Sequence, residues 1–364
     1  MKILLIAAKK NRKGGVAFYC NTLTKYLKVN HDIIYRGSPD KKENIVSKLL
    51  RFISDYLFFL YKLLIVNYDI IHQNTSLARK GVLRDAVYII LSKLLNKKII
   101  VSIHGWNKNY EKWVENHPVS TFRLLYKRVN ACIVLASEFK NKLLEWGFKK
   151  EIFLEPTIVD ENLVSDFNNQ HILEKIHKKN KYFTILFLAR IEKDKGIIET
   201  LKTYQILKEK FNSIQLIIAG EGSCLNKAKD FSIKNNLQDI IFTGYVSGPK
   251  KIKIFMESDV YLFPTTYGEG MPISLLEAMA FGLPIITRPM GGIKDFFENE
   301  RMGFITESKD PKIFAKLTQT FIENKDLTLN ISINNYNYAK EHFYASVAIK
   351  RLEKIYEGLL NNNH

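Results

Sequence analysis

The chain of 364 residues has three cysteines, Cys20, Cys132 and Cys224, scattered and without metal-ligand spacing. That excludes a disulfide framework and a thiolate metal site, and the three read as reduced core residues of a cytosolic protein. There is no low-complexity tract and no short-period repeat. Long hydrophobic runs are missing as well. The most lipid-like stretch, residues 56–66, is too short to span a bilayer and contains Lys62. It reads as a helix buried against the first sheet, with an interfacial helix dipping its Phe and Leu side chains into a membrane as the alternative. The apolar run at residues 3–8 is too short for a signal peptide and reads as a first strand. Acidic residues are in deficit, 37 against 55 lysines and arginines. The imbalance is local, since residues 1–180 hold 31 basic against 16 acidic side chains and residues 181–364 hold 24 against 21. A basic face implies an anionic partner, although part of the excess can be solvated lysine. No nucleic-acid motif accompanies the charge, so an anionic membrane surface ranks first and nucleic acid is not expected.

The length suits two domains. Strand-like runs rich in Ile, Val, Leu and Phe fall at 2–8, 70–73, 99–104, 132–136, 184–189, 215–219, 240–243, 260–264 and 284–287. Short buried runs alternating with amphipathic stretches indicate parallel sheets of βαβ units, and the series occurs twice. The expectation is α/β, with two Rossmann-like, doubly wound domains. Their bounds are set at 1–165 and 180–343, joined by the polar stretch 160–180. An amphipathic helix follows near 345–360.

Residues 264–288 carry the most information. Pro272 opens a helix that runs to about Phe281, Gly282 stops it, and a strand follows. Apart from Ser274 and Glu277 the helix is apolar, so it is buried. A buried carboxylate needs donors, which either ligand hydroxyls or an internal salt bridge supply to Glu277. Glu269 lies in the loop before this helix, whose free N–H groups attract an anion. After the strand ending at Ala189 come Arg190 and Lys195, two cations suited to a diphosphate, at the carboxyl edge of a parallel sheet. Gly220 and Glu221, and Gly244, Tyr245 and Val246, follow the next two strands, where glycine lets backbone approach a flat ligand or merely makes a turn. Gly14 and Gly15 precede a helix near the N-terminus. His104, followed by Gly105, ends a strand and is either a hydrogen-bonded structural residue or a functional one.

Residues 264–288 resemble the donor-sugar site of retaining glycosyltransferases of family 4, which have the GT-B fold, two domains facing across a cleft. The resemblance covers nearly the whole chain and is sharpest over 183–305. It implies Glu269 on the donor sugar's hydroxyls, Glu277 on the ribose, and the backbone of Gly270, Met271, Pro272 and Ile273 along sugar and phosphate. It implies further that Arg190 and Lys195 hold the diphosphate, although Ala189 stands where the family commonly has glycine. Tyr245 and Val246 would meet the base, Gly15 would face the donor phosphates, and His104 would lie near the transferred sugar. The terminal helix would cross back to the first domain.

What this implies is a metal-independent, retaining hexosyltransferase, with UDP as first and GDP as second choice of nucleotide. No Asp-x-Asp triplet is present to hold a divalent ion, and no cofactor is expected beyond the nucleotide-sugar co-substrate. The expected acceptor is a polyprenyl-diphosphate-linked glycan in bacterial O-antigen or capsule synthesis, handled peripherally at the inner face of the plasma membrane. Two alternatives stay open: a nucleotide-sugar epimerase of the same fold, and a catalytically inactive basic binding protein.

Overall fold

The structure is a computed structural model that describes residues 1–10, 14–37, 44–177, 181–268 and 270–361. The chain divides into two compact units. The first comprises Met1–Ile158, Gly268–Met271 and Ala345–His364, the second Val159–Tyr267 and Pro272–Tyr344. The division falls earlier than 165, and the polar stretch 160–180 carries a helix of its own (Asn169–His177) rather than serving as a bare linker.

In the first unit the order is β1 (Lys2–Ala8), α1 (Gly15–Tyr26), β2 (Asn30–Arg36), α2 (Ile45–Ile65), β3 (Ile70–Leu77), α3 (Arg79–Leu94), β4 (Lys98–Trp106), α4 (Lys108–Glu115), α5 (Thr121–Tyr126), β5 (Ala131–Val134), α6 (Ser137–Glu145) and β6 (Glu151–Leu154). The second unit begins with α7 (Asn169–His177) and continues with β7 (Phe183–Leu188), α8 (Ile197–Lys208), β8 (Ile214–Ala219), α9 (Leu225–Lys234), β9 (Ile240–Gly244), α10 (Gly248–Glu257) and β10 (Val260–Phe263). It closes with α11 (Ile273–Ala280), β11 (Ile285–Thr287), β12 (Gly303–Ile305), α12 (Pro311–Glu323) and α13 (Lys325–His342); α14 (Ala345–Asn361) returns to the first unit.

Among the described residues each unit has one all-parallel six-stranded sheet, ordered β2-β1-β3-β4-β5-β6 in the first and β12-β11-β10-β7-β8-β9 in the second. Strands covered on both faces need apolar side chains throughout, which is why β1, β7 and β8 are nearly continuous Ile, Leu and Phe. The two faces separate by residue parity. On one face Ile3, Leu5, Ile70 and Ile100 pack with Tyr19 and Cys20 of α1 and Ile349, Leu352 and Tyr356 of α14. On the other, Leu4, Ile6 and Ile71 meet Phe59 and Leu63 of α2 and Tyr88 of α3, while Ile99 and Val101 meet Val82 of α3 and Phe122 and Tyr126 of α5. α2, α3 and α5 therefore form one helical layer.

The expectation of a buried helix at 56–66 is corrected. α2 is twice that length, and within it only Phe59 and Leu63 are buried. The helix leans on α3 through one stripe and leaves the rest of its apolar surface outside.

Candidate active site

In the second sheet the strand order reverses between β7 and β10, since β8 and β9 lie on one side of β7 and β10 to β12 on the other. The carboxyl ends of strands at such a switch point are where open α/β sheets bind ligands. Arg190 and Lys195 stand in the loop after β7, and residues 264–267 follow β10. The two loops are stitched together: the Asp194 carbonyl accepts from the Thr266 and Tyr267 N–H groups at 2.8 and 3.0 Å. Gly196, at φ +85°, allows this approach, because a Cβ there would stand 2.5 Å from the Pro264 carbonyl oxygen. The Lys195 Nζ lies 4.2 Å from the centroid of the Tyr267 ring, and the Arg190 guanidinium carbon lies 5.9 Å from the same ring. Both cations are thus gathered around one aromatic ring. Arg190 is exposed and has no ion pair among the described residues, whereas Lys195 is buried.

Gly220 and Gly222 are explained by backbone packing. The Ile191 N–H donates to the Glu221 carbonyl and the Cys224 N–H to the Ile191 carbonyl, both at 2.9 Å. A side chain on either glycine would run into residues 189–191. Gly244, at φ +69°, has open space where a Cβ would project. Beside it Tyr245 is half exposed and Val246 is buried.

Pro272 is the residue preceding α11 rather than its first helical residue. The Pro272 carbonyl accepts from the Leu275 and Leu276 N–H groups, and no side chain among the described residues caps the helix start. The Ile273 and Ser274 N–H groups therefore keep the positive end of the helix available for an anion. Of the two polar residues of this helix, Ser274 shares a 2.7 Å hydrogen bond with the Tyr261 hydroxyl, which donates to the Leu188 carbonyl at 2.9 Å. Glu277 is 1 % exposed. Lys251 of α10, 14 % exposed in its side chain, pairs with it at 2.5 Å. The internal salt bridge is therefore present, and the donor comes from a residue that its neighbours Lys250 and Lys253 disguise in the sequence. Lys251 Nζ donates to Oε1 and stands equally close to Oε2, so both carboxylate oxygens face the one ammonium. Desolvation raises the Glu277 pKa and the Lys251 charge opposes that rise.

Other candidates belong to the first unit. Gly15 opens α1, with Gly14 before it at φ +128°. Gly270 and Met271 group with this unit, and Glu269 lies outside the described residues. His104, on β4, binds Asn74 of the adjacent β3: its Nε2 meets Asn74 Oδ1 at 2.8 Å, and the amide's other end donates to the Ile6 carbonyl at 3.4 Å. That network makes Nε2 the protonated nitrogen and leaves Nδ1 a lone pair, enclosed and without a hydrogen bond among the described residues. The Tyr19 ring lies 4.2 Å away. Desolvation and neighbouring His72 lower the His104 pKa to about 3, so the imidazole is neutral at physiological pH. Asn74 is a residue that sequence reasoning missed; it belongs to the run His72 to Thr75, wholly buried on β3, whose polarity disguises a central strand. A separate cavity of about 570 Å³ opens at the amino ends of β7, β8 and β9, lined by residues such as Tyr182, Gln215 and Ile241, and contains none of the candidates.

Residues 168–338 match the family model described as glycosyl transferases group 1. The match takes in most of the second unit, and there the chain is similar to that family. Among curated relatives, an uncharacterized glycosyltransferase of Methanocaldococcus jannaschii is 29 % identical over 66 % of this chain and 61 % of its own length. The capsular polysaccharide biosynthesis glycosyltransferase CapM of Staphylococcus aureus is 28 % identical over 63 % of this chain and 58 % of its own length. The matches thus span about six tenths of these two relatives. Among solved structures, HepE of Anabaena in complex with UDP and glucose superposes with a TM-score of 0.74 at 14 % identity, covering 98 % of this chain and 99 % of that one. This likeness shows the fold, GT-B.

Proposed function

We propose that the protein is a retaining, metal-independent glycosyltransferase that moves a sugar from a nucleotide diphosphate to a hydroxyl of a lipid-linked glycan. The observation that carries the reading is the gathering of Arg190 and Lys195 around Tyr267 at the switch point of the second sheet, beside loops suited to a nucleotide. Arg190 and Lys195 take the diphosphate, joined by the uncapped start of α11. Glu277 accepts from the ribose, Glu269 from the sugar hydroxyls, and the backbone of residues 270–273 follows the sugar and phosphate. Gly220 and Glu221, with Gly244, Tyr245 and Val246, border the base; Gly15 covers phosphate. His104, neutral with Nδ1 open, accepts a hydrogen bond near the transferred sugar. In the reaction the bond between the anomeric carbon and the phosphate oxygen breaks, and the acceptor oxygen bonds to the same face of that carbon. The acceptor's proton passes to the departing phosphate. HepE in complex with UDP and glucose supports UDP as the nucleotide, and CapM supports capsule-type polysaccharide as the pathway class. The working place is the inner face of the plasma membrane, on a polyprenyl diphosphate acceptor.

Thermal unfolding with UDP, GDP, ADP and CMP tests the donor site. A nucleotide at a hundred times its dissociation constant adds about 2.7 kcal/mol. The shift should disappear in a double variant, Glu277→Leu with Lys251→Met, which removes both buried charges together. No shift with any nucleotide sinks the reading. Arg190→Ala should lower turnover about 100- to 1000-fold with the fold intact. Conversion of donor sugar without any acceptor would replace transfer with epimerisation.

A further inference from the structure

We propose that the outer face of the helical layer α2–α3–α5 is a docking surface for a bilayer containing anionic lipid, with α2 lying in the plane of the interface. This names the surface through which the membrane part of the reading above would operate, and it rests on no residue of the donor site.

At 100° per residue, Val46, Leu50, Ile53, Leu57, Tyr61 and Leu64 form one continuous stripe along α2, and each is between 47 and 66 % exposed. The opposite stripe attaches the helix: Tyr56 and Phe59 pack on Tyr88 at ring distances of 5.1 and 4.9 Å, and the Tyr56 hydroxyl donates to the Arg84 carbonyl at 3.1 Å. The outward stripe is thus held away from the sheet rather than folded onto it. The same layer continues it with Leu83, Ile90 and Leu94 of α3 and Leu124 of α5, all exposed. Scattered surface leucines are ordinary, but a contiguous run of this length marks a binding face.

Charge selects the occupant. The three helices hold eight lysines and arginines against two aspartates. Both aspartates are ion-paired, Asp55 to Arg51 and Asp85 to Arg36 and Arg84. A second copy of this chain would bring one basic layer against another. An anionic bilayer meets both features at once, apolar side chains with the acyl boundary and cations with the headgroups. α2 is about 32 Å long, but Lys48, Arg51, Asp55 and Lys62 punctuate it, and no described helix is long and apolar enough to cross a membrane. Lying in the interface is the arrangement those charges permit.

The test is co-sedimentation of the full chain, without substrates, with vesicles of phosphatidylcholine alone or mixed with phosphatidylglycerol. Partitioning onto the mixed vesicles should exceed that onto phosphatidylcholine by about tenfold or more and weaken in high salt. The triple variant Leu50→Gln, Leu57→Gln, Leu64→Gln should lose about tenfold or more of that partitioning, with its circular dichroism and melting midpoint unchanged. Equal binding by wild type and triple variant overturns the proposal. So does a wild-type dimer in light scattering that the triple variant dissolves while vesicles bind neither protein, since a second copy would then cover the face. Because no sugar chemistry is read, loss of transferase activity leaves the result interpretable.

Discussion

α2 and α11 are both built mostly from apolar residues, yet from Leu275 onward α11 is enclosed, while α2 is bare along most of its length. α11 packs against α13, β10 and β11, whereas α2 rests on α3 and the first sheet through a narrow stripe. Charge is placed accordingly. The one charged residue of α11, Glu277, is inside and needs Lys251; the four of α2 reach water or a surface partner. Apolar composition says that a helix will be covered, and the contacts of its inner stripe say whether the protein itself does the covering.

The largest effect should come from separating the charges of α11. Lys251→Met leaves a buried carboxylate unpaired and should lower the unfolding free energy by about 3–5 kcal/mol in urea titration at neutral pH. Glu277 has its folded pKa raised, so the folded state binds the proton more tightly. The penalty is therefore full above that pKa and should shrink as pH falls toward the ordinary carboxylate range. Adding Glu277→Leu should restore most of the stability; failure to do so would mean that Lys251 supports more than its partner. Leu276→Ala, in the enclosed part of α11, should cost about 2–5 kcal/mol by the same titration. Ser274→Ala, which removes the bond to Tyr261, should cost about 1 kcal/mol. Leu57→Ser, on the outward stripe of α2, should change stability by no more than about 0.5 kcal/mol when no vesicles are present. A cost like that of Leu276→Ala would dissolve the contrast, since α2 would then be covered within the folded chain.

The nine strands legible from apolar runs all formed, several with their ends shifted by a residue or more, and β3 ran on to Leu77 through a polar stretch that hides it. The three that periodicity missed, β2, β6 and β12, are each at the edge of a sheet. Edge strands face water on one side, and Asn30–Arg36 reads Asn-His-Asp-Ile-Ile-Tyr-Arg, too polar to announce a strand. The placement of Arg190 and Lys195 at the carboxyl end of a strand was legible because their loop follows an apolar run and ends in a glycine. Lys251 and Asn74 were not, because each acts on a partner 26 or 30 residues distant in the chain, His104 for Asn74 and Glu277 for Lys251.

The return of α14 has a consequence for how the molecule is born. Ile349, Leu352 and Tyr356 complete the face of the first sheet formed by Ile3, Leu5 and Ile70, and the Tyr356 hydroxyl meets His72 at 2.6 Å. During synthesis that face waits uncovered while residues 159–344 are made, on the order of 10–40 s at ordinary translation rates. The second unit, though encoded later, can therefore finish folding first, and a nascent chain halted before Ala345 would carry a completed second unit and an unclosed first one, the state a chaperone would meet.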